Sequence, residues 1–85
     1  MNWDVYWAPV AENELATLWL NPAMRQLVTV ASQRIDERLA FNGIEEGESR
    51  PGVYRITFEA PHGVLFHVDE PTRRVTVVHV WAFET

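Results

Sequence analysis

Apolar and polar residues alternate through Trp3-Asp4-Val5-Tyr6-Trp7. A period of two predicts a short strand, with Trp3, Val5 and Trp7 on one side. Ala8-Pro9 ends it. Pro9 suits the first turn of a helix, where its missing N–H costs nothing, and Glu12 follows where the helix dipole favours an acid. The stripe Ala11, Leu15, Leu18 and Trp19 predicts a helix from Val10 to Leu20. Asn21-Pro22 is a cap followed by a proline at the first helical position, so a second helix is predicted from Pro22 to Phe41. Its stripe is Met24, Leu27, Val28, Ala31, Ile35 and Leu39, and Asn42-Gly43 supplies the stop. Two helices joined by so short a break form an antiparallel hairpin, and they need a flat surface to pack on because they are marginal alone.

Residues 44–52 form an acidic, glycine-containing connection. A strand is predicted over 53–59, with Tyr54, Ile56 and Phe58 on one face and Val53, Arg55 and Thr57 on the other. Pro61-His62-Gly63 is expected to turn into a strand from Val64 to Asp69. Glu70 to Arg73 turns into a last strand from Arg74 to Phe83. Val77-Val78 and Val80-Trp81 are apolar on both faces, which places that strand inside the sheet, and the first strand is expected to lie beside it. The expected architecture is therefore a single α+β domain over residues 1–85. Its order is β-α-α-β-β-β, a helical hairpin packed on one face of an antiparallel sheet.

A chain of 85 residues supports one core, and a thin one. With 47% hydrophobic and 22% charged residues it is not a disordered tail. The absence of cysteine excludes disulfides, thiol catalysis and a Cys-ligated zinc. The start lacks a basic segment followed by an apolar one, and no apolar run approaches the roughly 18 residues of a membrane span. A cytoplasmic location without membrane attachment is the expectation. Net charge is -5, from 12 acids against seven arginines and no lysine, which predicts weak direct binding to nucleic acid. The three histidines lack a compact spacing, so neither a metal site nor a cofactor is expected.

The order of elements resembles that of the RelE/ParE superfamily of toxins from type II toxin–antitoxin systems, often described as plasmid-stabilisation proteins. The matching stretches are Trp3-Asp4-Val5 running into Ala8-Pro9-Val10-Ala11, then Glu14-Leu15-Ala16-Thr17-Leu18-Trp19, and Ala31-Ser32-Gln33-Arg34-Ile35-Asp36 with Leu39. They continue through the 47–50 connection, Val64-Leu65-Phe66-His67-Val68-Asp69 and Arg74-Val75-Thr76-Val77-Val78-His79-Val80-Trp81. The resemblance implies a toxin held inactive by a short antitoxin that wraps across helices and sheet. One branch of the family cuts messenger RNA on the ribosome; another inhibits DNA gyrase without cutting nucleic acid.

Metal-free RNA cleavage needs a base, an acid and a cation at the phosphate. The resemblance places the family's strand arginine at Arg55, expected on the open side of the sheet because it alternates away from Tyr54, Ile56 and Phe58. The family's lysine has no counterpart, Trp81-Ala82-Phe83 stand where basic residues are found, and the terminal Tyr or His is missing. His67 and His79 are candidate proton carriers on strands that are expected to be adjacent, though strand histidines among apolar neighbours also suit half-buried packing. His62 is expected to be ordinary surface in a turn. Arg50, Arg55, Arg73 and Arg74 are candidates for a basic patch that grips phosphate or the carboxylates of a partner; Arg73 and Arg74 also suit a turn that merely offsets Glu70. Trp7, Trp19 and Trp81 are expected mostly in the core, with Trp19 or Trp81 free to anchor a partner.

The leading expectation is a toxin-like protein that acts by binding protein, possible gyrase inhibition included. A RelE-type mRNA endoribonuclease and a non-toxic, partner-binding relative are the alternatives. The expected partner is a cognate antitoxin, with self-association into a homodimer as the structural alternative.

Overall fold

The computed structural model describes residues 3–42, 48–49 and 54–83, with only the backbone of 42, 48 and 49. Strand β1 (Asp4–Trp7) leads into helices α1 (Pro9–Trp19) and α2 (Arg25–Asn42). Strands β2 (Glu48–Ser49), β3 (Tyr54–Glu59), β4 (His62–Asp69) and β5 (Arg74–Ala82) follow. The sheet order is β1-β5-β4-β3-β2. The meander is antiparallel, but β1 joins β5 in parallel, from Asp4 opposite Arg74 to Trp7 opposite Val77, so the sheet is mixed rather than wholly antiparallel. Its other edge is β2, two residues that face Ile56 and Arg55 and are too few to show any periodicity.

The first helix starts at Pro9 as its sequence dictates. The second starts three residues later than expected. Asn21 still caps, with its Oδ1 accepting the Ala23 N–H at 3.1 Å and its carbonyl the Met24 N–H at 2.9 Å, but residues 22–24 form a separate turn. The inward stripe of α2 is Val28, Ala31, Ile35 and Leu39, all buried. Leu27 lies about 100° around the helix from Val28 and is 53% exposed, so it drops out of the expected stripe. The stop at Gly43 lies outside the described residues.

Helix α1 packs on β5 and α2 on β1, β3 and β4. The core between hairpin and sheet is built on Trp3, Ile35, Leu39, Phe66, Val75 and Val77. Trp7 only flanks it, with its Nε1 donating to Asp36 Oδ1 at 2.7 Å. The expectation that Trp19 and Trp81 mostly fill this core is not met: Trp19 is 45% exposed, and Trp81 lies on the other side of the sheet over Gly63.

The turn between β3 and β4 is tighter than expected, Ala60-Pro61 with a cis bond, so His62 and Gly63 already belong to β4. His62 is fully buried, not surface.

Candidate functional site

Strand β3 is oriented by α2. The Arg38 guanidinium donates to the Phe58 carbonyl at 2.9 Å, Thr57 Oγ1 at 2.9 Å and Glu59 Oε1 at 3.2 Å, while Arg34 stands 3.7 Å from Glu59 Oε2. Thr57 and Glu59 therefore face the helices, and Arg55 alternates with them, opposite the buried Phe66. Arg55 is consequently on the helix side of the sheet, which corrects its expected place on the open side.

The open side carries the aromatic set instead. Tyr54 and Phe58 are 40% and 51% exposed. Tyr54 meets His67 edge-on at 5.7 Å, and Phe58 meets both Trp81 and Phe83 edge-on at 6.4 and 5.3 Å. No described helix covers this face.

The residues expected to cooperate are dispersed. His67 faces Tyr54 and Thr76 across the ladders, whereas His79 lies opposite Leu65 and turns to α1, with its Nδ1 3.1 Å from Glu14 Oε1. Arg55 and His67 lie on opposite sides of the sheet. Arg73, in the left-handed region at φ 54°, sits over the Trp3 ring at 4.8 Å. Arg74 lies between Asp4 and Asp69 on the neighbouring strands and 6.0 Å from the Tyr6 ring. Arg73 and Arg74 thus each stand against an aromatic ring, and Arg55, on the helix side of the sheet, is not beside Arg74; Arg50 lies outside the described residues. Among the described residues no group of three or more His, Asp or Glu is placed to hold a metal ion.

What the fold does build is a groove of about 700 Å³ between α1 and α2. Trp7 lines it from β1; Leu15, Ala16 and Trp19 line it from α1, and Val28 and Ser32 from α2. Glu12 and Asp36 mark its acidic walls, and the Trp19 ring that lines it carries Arg25 at 4.4 Å. Trp19, a candidate anchor in the sequence, stands half-exposed in this groove. The groove itself was not legible in the sequence, because helical periodicity shows which residues face inward but not how far apart two helices stand.

A helical hairpin on one face of a five-stranded mixed sheet in the order β1-β5-β4-β3-β2 is the RelE/ParE-like fold. A chain of the toxin–antitoxin complex RelBE2 from Mycobacterium tuberculosis matches it with a TM-score of 0.79 at 13% identity, over 98% of this chain and 100% of that one. At that identity the likeness is one of fold. No protein-family model and no curated protein sequence matches the chain. No described helix is long and apolar enough to cross a membrane.

Proposed function

We propose that this chain is the toxin-type member of a two-protein pair and that the α1–α2 groove receives a segment of a small antitoxin. The groove carries this reading: an apolar, concave strip with a half-exposed tryptophan at its end is the kind of surface on which an apolar helical face docks. The end-to-end likeness to a chain of a toxin–antitoxin complex supports the same reading. The acidic walls at Glu12 and Asp36 suit a segment flanked by cationic side chains.

As to the target, the likeness to RelBE2 favours the RelE branch, with cleavage of messenger RNA on the ribosome, over gyrase inhibition. On this second reading the chemistry belongs on the open face at Tyr54 and His67, where a phenol and an imidazole meet edge-on. Arg55 and His79 do not reach that pair. The described cation on this face is Arg74, which alternates with the inward Val75 and lies opposite Asp69, two positions along β5 from the Thr76 that faces His67; further charge at a phosphate would have to come from the ribosome.

Co-expression with the product of an adjacent small gene, followed by sizing and mass measurement, tests the pairing. A stable complex that dissociates when the groove is filled by mutation is the expected result. A monodisperse monomer that binds no such product overturns it. Incubation with programmed ribosomes separates the two targets: cleaved message supports the RelE branch, and intact message alongside inhibited DNA supercoiling supports the other. With neither effect, the protein is a partner-binding relative without toxic activity.

A further inference from the structure

Where the tip of the helical hairpin meets the end of the sheet, His62 opens β4 with its side chain fully buried. Neither ring nitrogen has a partner of hydrogen-bond geometry. The ring borders an apolar cavity of about 230 Å³, walled by Leu18 from α1, Asn21 from the intervening turn, Met24 and Val28 from α2, and Ala82 from β5. Val28 also lines the α1–α2 groove, so one side chain is shared by the two spaces.

An imidazole in this position tolerates one state only. Neutral, it is an aromatic filler; protonated, it is a buried cation that needs a carboxylate or water. The charged neighbours are already engaged. Glu59, opposite His62 on β3, gives one oxygen to Arg38 at 3.2 Å and the other to Arg34 at 3.7 Å. Glu14, one turn before Leu18, accepts the Val80 N–H and contacts His79. Arg25, beside Met24, stacks on Trp19. Ala82 and Val80 on β5 bring no charge. Burial accordingly lowers the His62 pKa from its ordinary 6.5, and the Val28 backbone, which acts in the opposite direction, is outweighed.

We propose that His62 is a proton-operated latch: neutral, it lets the hairpin tip seal the end of the sheet, and protonated, it drives the tip off the sheet and reshapes the adjoining groove. The tip is the part that yields. Residues 18–28 cross from one helix to the other through a turn, and their separation admits water to the ring. Moving the β4–β5 ladder would instead break strand pairing on both sides of its irregularity at Leu65/Phe66. Val28 carries the motion to the groove, whatever occupies it.

Amide exchange of the isolated full chain between pH 7.5 and 5.5, corrected for the intrinsic pH dependence, tests the latch directly. Protection across residues 18–28 is expected to fall on acidification, by up to about tenfold per pH unit for uptake of one proton, while the centre of β5 around Val75–Val77 stays protected. The His62 ring proton should titrate below 6.5 in the same samples. His62→Phe, which keeps an apolar ring, is expected to abolish the pH dependence, whereas His79→Gln should leave it unchanged. The latch is overturned by tip protection that does not respond to pH in the wild-type chain, by a His62 titration at or above 6.5, or by a pH response that survives in His62→Phe. The wild-type measurements decide the matter even if His62→Phe does not fold.

Discussion

The Glu14 carboxylate on α1 accepts the backbone N–H of Val80 on β5 at 3.1 Å. Pairing of β1 with β5 ends at Trp7 and Val77, followed by one further bond from the Ala8 N–H to the Val77 carbonyl at 2.9 Å. Past that point β5 turns its edge toward α1, and a helix side chain supplies the acceptor that a longer β1 would have offered. The same carboxylate also contacts His79, which ties that histidine to α1.

Removal of this acceptor is expected to be costly. Glu14→Ala leaves the Val80 N–H part-buried and unpaired and should lower stability by about 1–2 kcal/mol. Glu14→Gln retains an acceptor oxygen and should lose less than half of that. Urea denaturation of the three proteins provides the comparison. Equal losses in both variants would show that the charge facing His79, rather than the bond to Val80, is what matters.

The Trp81 ring lies so close over Gly63 that a Cβ there would stand 2.5 Å from Trp81 Cε2. Gly63→Ala should therefore displace the ring and destabilise the fold by about 1–3 kcal/mol, with a change in tryptophan emission. In a Trp81→Ala background the same substitution should cost little. Denaturation of both pairs measures the coupling, and additive losses would refute the contact.

Stability should depend on pH through His62. Its folded pKa is lowered, so as pH falls the unfolded chain takes up this proton first. The contribution of the neutral ring is fully present above 6.5 and is lost as pH drops from there toward the folded value. Urea midpoints between pH 8 and 5 should fall along that course for the wild-type chain and stay flatter for His62→Phe. A wild-type midpoint that is level across the window would contradict it.

Ala16 is an exposed groove residue on α1, so Ala16→Arg places bulk in the groove without touching the core. Stability should change by no more than about 0.5 kcal/mol. Affinity for the proposed antitoxin segment should drop at least about tenfold, a loss of roughly 1.4 kcal/mol measurable by calorimetry. Unchanged affinity would move the docking site elsewhere.

The sequence by itself determined the elements and their order. Pro9 sets the start of α1, the helical spacing that includes Val28, Ala31, Ile35 and Leu39 sets the inward side of α2 apart from Leu27, and the two-faced apolar pairs Val77-Val78 and Val80-Trp81 mark an interior strand. Those features come from local backbone chemistry and from periods of 3.6 and 2, which a linear chain displays. Only the tertiary structure decided which side of each strand meets the helices. Alternation along β3 separates Tyr54, Ile56 and Phe58 from Arg55, Thr57 and Glu59 but is the same whichever set points inward. Arg34 and Arg38, about 20 residues away on α2, resolve it by offering the polar set partners, so the apolar set is left open. The burial of His62 is of the same kind. A histidine after Pro61 has the look of a turn residue, and it lies buried because Leu18, Met24 and Val28 arrive from another layer to cover it.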